Sequence, residues 1–332
     1  MSFALAFLRA LFRRPGEAFR ALYWHVTGKR VRARNRLRLV DQQGRNAYTF
    51  WIRTIEREDD NAALAAVSAH ASPRFTFWLL GSDEAGMTRA SIAALTWGDC
   101  EVIAIDPTGG AAAYFAALAA THGDWIIAVI AGTRLAPLAL FHFAAAVAAC
   151  TDAKALYGDH DVIGPRGSRS APWLKPRWNP DMFLAQDFAS QACALAVDAV
   201  REALPAAIAG GDAFGFALLL AIAGRATPVH VPHVLAHWPA GAGGSTREAR
   251  KSVIARHLTG TGAVLEDGIG DTISVVWPLP ATPPLVSLIV PTRDNLGVLR
   301  ACVDGVLNRT DYRPLELVIV DNGSETAAMR DY

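Results

Sequence analysis

Val286-Ser287-Leu288-Ile289-Val290-Pro291-Thr292-Arg293-Asp294 and Leu315-Glu316-Leu317-Val318-Ile319-Val320-Asp321-Asn322-Gly323-Ser324 are two apolar runs that each close in a polar turn, with a helical stretch between them. Short Val- and Ile-rich runs bounded by turn residues read as buried strands. Strand, helix and strand in that order make the opening βαβ unit of an α/β domain with parallel strands. Two parallel strands cannot cover both of their faces. The reading therefore expects either that the natural protein continues past Tyr332 or that this end is a remnant.

The same alternation runs through the body of the chain. Strands are predicted over 75–80, 100–105 and 125–130, with helices over 87–95, 111–121 and 135–149. Periodic switching of this kind predicts a doubly wound, mostly parallel sheet whose strand ends and loops lie along one edge. Further on, 156–161 reads as a strand end followed by a polar turn and 173–181 as a Trp- and Pro-rich loop. Helices are predicted over 188–204 and 214–222, and strands over 228–237 and 272–278. Ser245-Thr246-Arg247-Glu248 reads as a capping box opening a helix. A proline-rich linker, 278–284, leads to the terminal βαβ unit. The division expected is a basic arm over 1–44, a domain over 45–280 and the start of a second domain over 281–332.

Composition narrows the class. The 332 residues are 52% hydrophobic and 19% charged with a formal net charge of +1, which is globular material without a field that calls for nucleic acid. The cysteines, Cys100, Cys150, Cys193 and Cys302, form no CxxC pair and read as reduced thiols of a cytoplasmic protein. The 125–150 stretch is apolar but interrupted by Arg134, Pro137 and His142, short of the roughly 18–20 uninterrupted residues of a membrane span. The arm mixes Phe3, Leu5, Phe7, Leu8, Leu11 and Phe12 at helical spacing with many arginines. It reads either as a helix lying on the anionic inner face of the cytoplasmic membrane or as a solvated helix packed on the body.

On these residues the chain shows a resemblance. Residues 286–294 and 318–324 resemble the start of a family 2 glycosyltransferase of the GT-A fold. The body resembles, more distantly, the first of two tandem domains in bacterial surface-polysaccharide glycosyltransferases. Its landmarks are Tyr48 to Arg53, Leu156 to Asp161, Lys175 to Asp181, and Val234 to Trp238 followed by Gly244-Ser245-Thr246. The resemblance implies a nucleotide-sugar donor, a glycan or lipid-linked acceptor and inverting transfer. It also implies Mg²⁺ or Mn²⁺ in a complete family member, because hard oxygen ligands hold a divalent ion against the leaving diphosphate. By the same resemblance Pro291, Thr292, Asp294, Asp321 and Asn322 would hold base and ribose in the second domain, and Asp106 would do so in the first. Asp159, Asp161, Trp178, His237 and Trp238 would lie on the glycan side.

The departures are specific. The turn after the first strand is Gly81-Ser82-Asp83-Glu84. Where the family carries Asp-x-Asp, this chain has Ile130-Ala131-Gly132-Thr133. The only acid in the stretch aligned with the catalytic base is Asp212. The expectation is that 45–280 has lost metal-dependent transfer and that catalysis lies in a C-terminal continuation, with a non-catalytic module binding a glycan or partner as the alternative. Among rival readings, Asp159, His160 and Asp161 could form a metal cluster, but without a third carboxylate a solvated turn is favoured. His230, His233 and His237 do not read as a zinc site, because Pro228 and Pro232 break a helix and a strand would point 230 and 233 to opposite sides. The 241–244 glycines read as a helix entry rather than a phosphate cradle. Trp173, Trp178 and Trp238 read equally as a sugar platform or as structural side chains.

Overall fold

The computed structural model describes residues 3–42, 47–66, 73–82, 86–96, 100–241 and 244–332. The chain forms two compact units. One comprises Met1–Thr259 with Leu265–Val275, and the other Gly260–Val264 with Val276–Tyr332.

The first unit opens with α1 (Phe3–Arg13), α2 (Pro15–Val26) and α3 (Arg30–Gln42), which pack on one another. Pro15 at the first helical position separates α1 from α2. Their shared core is built from small residues, Ala6, Ala10, Ala18 and Ala21, closed by Leu37 and Val40. Next, α4 (Ala47–Trp51) passes through a π-helical turn, Ile52–Glu56, into α5 (Arg57–Ala66).

The α/β body follows as β1 (Phe75–Leu80), α6 (Met87–Ala93), β2 (Glu101–Ile105), α7 (Gly110–Ala120), β3 (Trp125–Ile130), β4 (Arg134–Leu135), α8 (Ala139–Ala149), β5 (Ala155–Ile163) and β6 (Arg169–Trp173). It continues with α9 (Pro180–Ala185), β7 (Ala194–Ala196), α10 (Val197–Ala207), α11 (Phe214–Ala223), β8 (Val229–Pro239) and α12 (Arg247–His257). The strands join in the order β2-β1-β3-β7-β5-β8-β4, with β6 on the free part of β5. β1, β2, β3, β5 and β8 run one way, and β4, β6 and β7 run against them.

Both sheet faces are covered, as the apolar strand runs require. Phe75, Phe77 and Leu79 of β1 pack with Ile92 of α6 and Leu140 and Phe143 of α8. On the other face Trp78 lies against Tyr114 of α7, and its indole N–H donates to Thr121 Oγ1 (3.0 Å). The sheet is thus the doubly wound, mostly parallel α/β architecture expected. The segment Val197–Ala223 has the length and apolar character of a membrane span, but more than half of its most apolar stretch is buried in the unit, and Gly211 (φ 53°, ψ −123°) breaks it.

Several expectations are corrected. Residues 159–161 are not a turn, because β5 runs on to Ile163. The predicted helix over 188–204 begins only at Val197. Ala194–Ala196 is drawn instead into the slot between β3 and β5, so sheet pairing overrides the helical propensity of alanine. α8 starts at Ala139 because 134–135 pairs with β8. Within the predicted loop, Trp173 ends β6, and Pro180 opens α9 behind an Asn179 cap that accepts from Met182 N (2.9 Å). The cap of α12 is Thr246, accepting from Ala249 N (3.2 Å), rather than Ser245.

β9 (Val264–Asp267) and β10 (Ile273–Val276) form a two-stranded sheet. The second unit contains β11 (Val286–Thr292), α13 (Leu296–Asn308), β12 (Leu315–Asp321) and α14 (Ala327–Asp331). β11 and β12 pair in parallel from Val286↔Leu315 to Thr292↔Asp321. Ile289, Val298, Ile319 and Val320 remain exposed.

Candidate functional site

The second unit gathers its predicted residues at one end. The register sets Thr292 beside Asp321, and Asn322 N donates to Thr292 O (2.8 Å). Asp321 accepts from Ser324 N (3.0 Å). Asp294 takes a left-handed backbone (φ 48°), its N–H donates to Ser324 Oγ (2.9 Å), and its Oδ1 accepts from Glu325 N (2.8 Å) and Thr326 N (3.0 Å). The backbone N–H of Thr326 holds the Asp294 carboxyl below its usual range, outweighing its slight burial, with help from Glu325. Asp294 therefore ties the two turns together, while Pro291, Asp321 and Asn322 stand exposed at the strand ends. The ends of parallel strands are where ligands of such folds bind.

In the first unit, a cavity of about 520 Å³ lies at the ends of β1 and β3. Its walls include Gly81, Tyr114, Ile130, Thr133, Phe214 and Trp238, with Asp187 and Asp212 among the lining acids. Tyr114 stacks on Phe214 at 4.0 Å between ring centroids. Asp212 is exposed on the 3₁₀ stretch Ile208–Ala213, just after the Gly211 kink. Asp106 lies at the end of β2 and is used locally: its Oδ1 accepts from Thr108 N (2.9 Å) and Thr108 Oγ1 (2.7 Å). The turn at Asp83 and Glu84 falls outside the described residues, as do 242–243 of the glycine stretch.

The end of β3 does not fit a divalent cation. Beyond Ile130 the backbone closes on its neighbours, Ala131 N donating to Leu80 O (3.0 Å) and Gly132 N to Thr88 Oγ1 (2.8 Å). The side chains there offer a single hydroxyl, Thr133, and no carboxylate. Of the acids in the cavity, Asp187 already accepts from Ser190 N (3.0 Å) and from its hydroxyl. Sequence reading missed Asp187 and the Tyr114–Phe214 stack, which come together from distant segments.

The Asp159–Asp161 stretch is buried, not solvated: Asp159 and His160 are 5% exposed and Asp161 is 0%. Asp161 accepts from Tyr48 Oη (2.5 Å) and Arg169 Nε (2.5 Å), and pairs with His237 Nδ1 (2.6 Å). Arg169 forks onto Glu56 as well (2.6 and 2.7 Å). Burial alone would raise the Asp161 pKa, but bonds from His237, Tyr48 and Arg169 outweigh it and hold it low. Asp159 accepts from Lys175 N (2.8 Å) and pairs with His230 Nε2 (2.8 Å). This is a clamp holding the α4–α5 segment to the sheet, not a metal cluster.

His160 points the other way and stacks on Trp238 at 3.9 Å. Trp178 packs edge-on to Tyr157 and beside Phe183 and Phe188, which makes it part of an aromatic cluster. Bulges in the β5–β8 ladder break the simple strand alternation, so His230 and His233 line one cavity instead of facing opposite sides.

With this geometry in place, comparison adds relatives. Residues 287–331 match the family model described as Glycosyl transferase family 2. The chain is 33% identical over 227 residues to uncharacterized protein y4gI of Sinorhizobium fredii, covering 64% of this chain and 25% of that protein. It is 29% identical over 218 residues to O-antigen biosynthesis protein RfbC of Myxococcus xanthus, covering 62% of this chain and 17% of that protein. It thus spans a quarter or less of the length of these curated relatives. Among solved structures, S. aureus TarS 1-349 aligns with a TM-score of 0.43 at 11% identity, covering 56% of this chain and 66% of that one.

Proposed function

We propose, from the match of residues 287–331 to the Glycosyl transferase family 2 model, that the chain is a section of a nucleotide-sugar-dependent enzyme that builds bacterial surface polysaccharide. The carrying observation is the second unit's strand end, where the family match coincides with Asp294 and Asp321 organising paired turns beside Thr292. Base and ribose of the donor would be held there. The chain's likeness, over 218 residues, to an O-antigen biosynthesis protein supports the polysaccharide setting.

Transfer itself is assigned to parts of the whole protein outside these 332 residues, a reading supported by the length of the relatives. There an acceptor hydroxyl would attack the anomeric carbon as the bond to the diphosphate breaks, inverting the centre, while a carboxylate takes the hydroxyl proton. The first unit is read as a binding module without transfer activity, because the end of β3 offers no carboxylate for a diphosphate-bound cation. Calorimetric titration of this chain with UDP and with GDP tests the donor site. Asp321→Ala is expected to weaken the bound nucleotide about tenfold, the size of one lost hydrogen bond to a charged group. Failure of both nucleotides to bind, or binding unchanged in Asp321→Ala, would refute it. Mn²⁺-dependent binding abolished by Asp212→Asn would overturn the non-catalytic reading of the first unit.

The reading also places α1–α3 against the anionic inner face of the cytoplasmic membrane. In support, these helices leave Phe12 (88%), Phe19 (59%), Tyr23 (64%) and Val26 (76%) exposed. Arg20, Lys29, Arg30 and Arg32 stand exposed among them. Co-sedimentation with phosphatidylglycerol vesicles but not phosphatidylcholine vesicles, lost in Phe12→Ser/Phe19→Ser, is the expected result. Equal binding to both lipids, or to neither, would exclude it.

A further inference from the structure

We propose that a second cavity of the first unit binds one neutral sugar ring, away from the strand-end cavity. It encloses about 320 Å³ and shares no lining residue with the larger one. Trp51 and Asp60 of the α4–α5 segment line it, together with Lys175, His142 of α8 and His233 of β8. The enclosure is preformed, because Arg169 ties Glu56 of that segment to Asp161 of the sheet.

What marks it as a site is unmet hydrogen-bonding capacity. His142 is 8% exposed and Lys175 6%. Yet the imidazole of His142 has no hydrogen-bond or ion-pair partner among the described residues, while the Lys175 ammonium lies in the field of Asp159 and Asp187, the latter a wall of the larger cavity. His142 and His233 lie ring on ring at 3.7 Å, with Asp60 near His233 and equally without a partner among the described residues. Buried polar side chains in folded proteins are nearly always paired, so a buried imidazole without a partner, stacked on a second one at a cavity wall, calls for a ligand.

The chemistry of the walls selects its class. Arg169 is taken up by Glu56 and Asp161, and the carboxylates of Asp59, Asp60 and Asp159 also line the cavity. An anion would meet a surplus of carboxylates. No group of three His, Cys, Asp or Glu side chains among the described residues converges to hold a metal ion. A neutral polyol suits these walls: its hydroxyls donate to Asp60 and to one imidazole nitrogen and accept from an imidazole N–H, and its C–H face lies against Trp51. The volume sits at the low end of the about 300–1,000 Å³ of small-molecule sites, enough for one ring rather than a nucleotide sugar. Naming the polyol as a sugar rests on the glycosyl transferase reading; the site itself rests on the cavity.

Saturation-transfer NMR on the chain, with D-glucose, D-galactose, N-acetyl-D-glucosamine and L-rhamnose as probes, tests this. At least one should bind in the millimolar range. Asp60→Asn and His233→Gln should each weaken it about tenfold with the melting temperature retained, and the exposed variant Arg225→Gln should leave it unchanged. No binding by any of the four, binding indifferent to both Asp60→Asn and His233→Gln, or competition by inorganic phosphate would overturn the proposal. UDP and GDP titrations report on the donor site alone, so failure there is read separately.

Discussion

Acid should loosen the first unit through two imidazoles that the fold keeps neutral. His142 is pushed down to about 4, by burial first and then by His233, and His160 to about 3, by burial and then by Lys175. In the unfolded chain both titrate near about 6.5. Between the folded and unfolded values, the unfolded chain binds protons that the folded chain refuses. Their contribution to stability is therefore fully present above the unfolded pKa and is lost as pH falls toward the folded one. Each proton is worth about 1.4 kcal/mol per pH unit. The two rings together give a slope of roughly 2.5 kcal/mol per pH unit between about pH 6 and 5. Asp60, raised by burial and by Glu56, works in the opposite sense, but equally in every variant compared. His160→Phe keeps a flat ring over Trp238, 3.9 Å away, and removes one titrating group. Urea unfolding across this range should show its slope reduced by about 1.2 kcal/mol per pH unit, whatever the variant does to stability at neutral pH. An unchanged slope in His160→Phe, or wild-type stability that rises with acid, would refute the account of these rings as buried and neutral.

The clamp and the close contact within the sheet give two further tests. Arg169→Met leaves Asp161 and Glu56 without their shared cation in a site where Asp161 is 0% exposed, so urea unfolding should show a loss of about 3–5 kcal/mol. Limited proteolysis should then cut first near 47–66. Gly158→Ala would bring a Cβ to 2.5 Å from Leu235 Cδ1, and should cost about 1–3 kcal/mol in the same assay. Leu235→Ala in the Gly158→Ala background should recover part of that loss, a coupling absent if the two residues do not touch.

The residues that could be read from sequence and those that could not differ in where their partners lie. Phe75 to Leu80 and Trp125 to Ile130 are apolar at every position because both sheet faces are covered, so local composition suffices to find them. Asp159, His160 and Asp161 carry the composition of a turn, and only partners at separations of 8, 76 and 113 residues turn the last of them into a buried clamp. Tyr48, Asp161 and His237 were each visible as separate landmarks, but no spacing rule joins them. Ala194–Ala196 was misread for the matching reason: alanine is silent about sheet, and the slot between β3 and β5 decides. The same logic bears on function. The acids that suggested metal chemistry in the body are used up in holding α4–α5 to the sheet, and the end of β3, where a divalent ion would sit, closes on backbone bonds from Ala131 and Gly132. What the first unit keeps is the space beside that clamp: a cavity between the α4–α5 segment and the sheet, walled by Trp51, Asp60, His142 and His233. On the proposed reading, a first unit that binds without transferring would hold a sugar by hydrogen bonds alone, with no metal ion required.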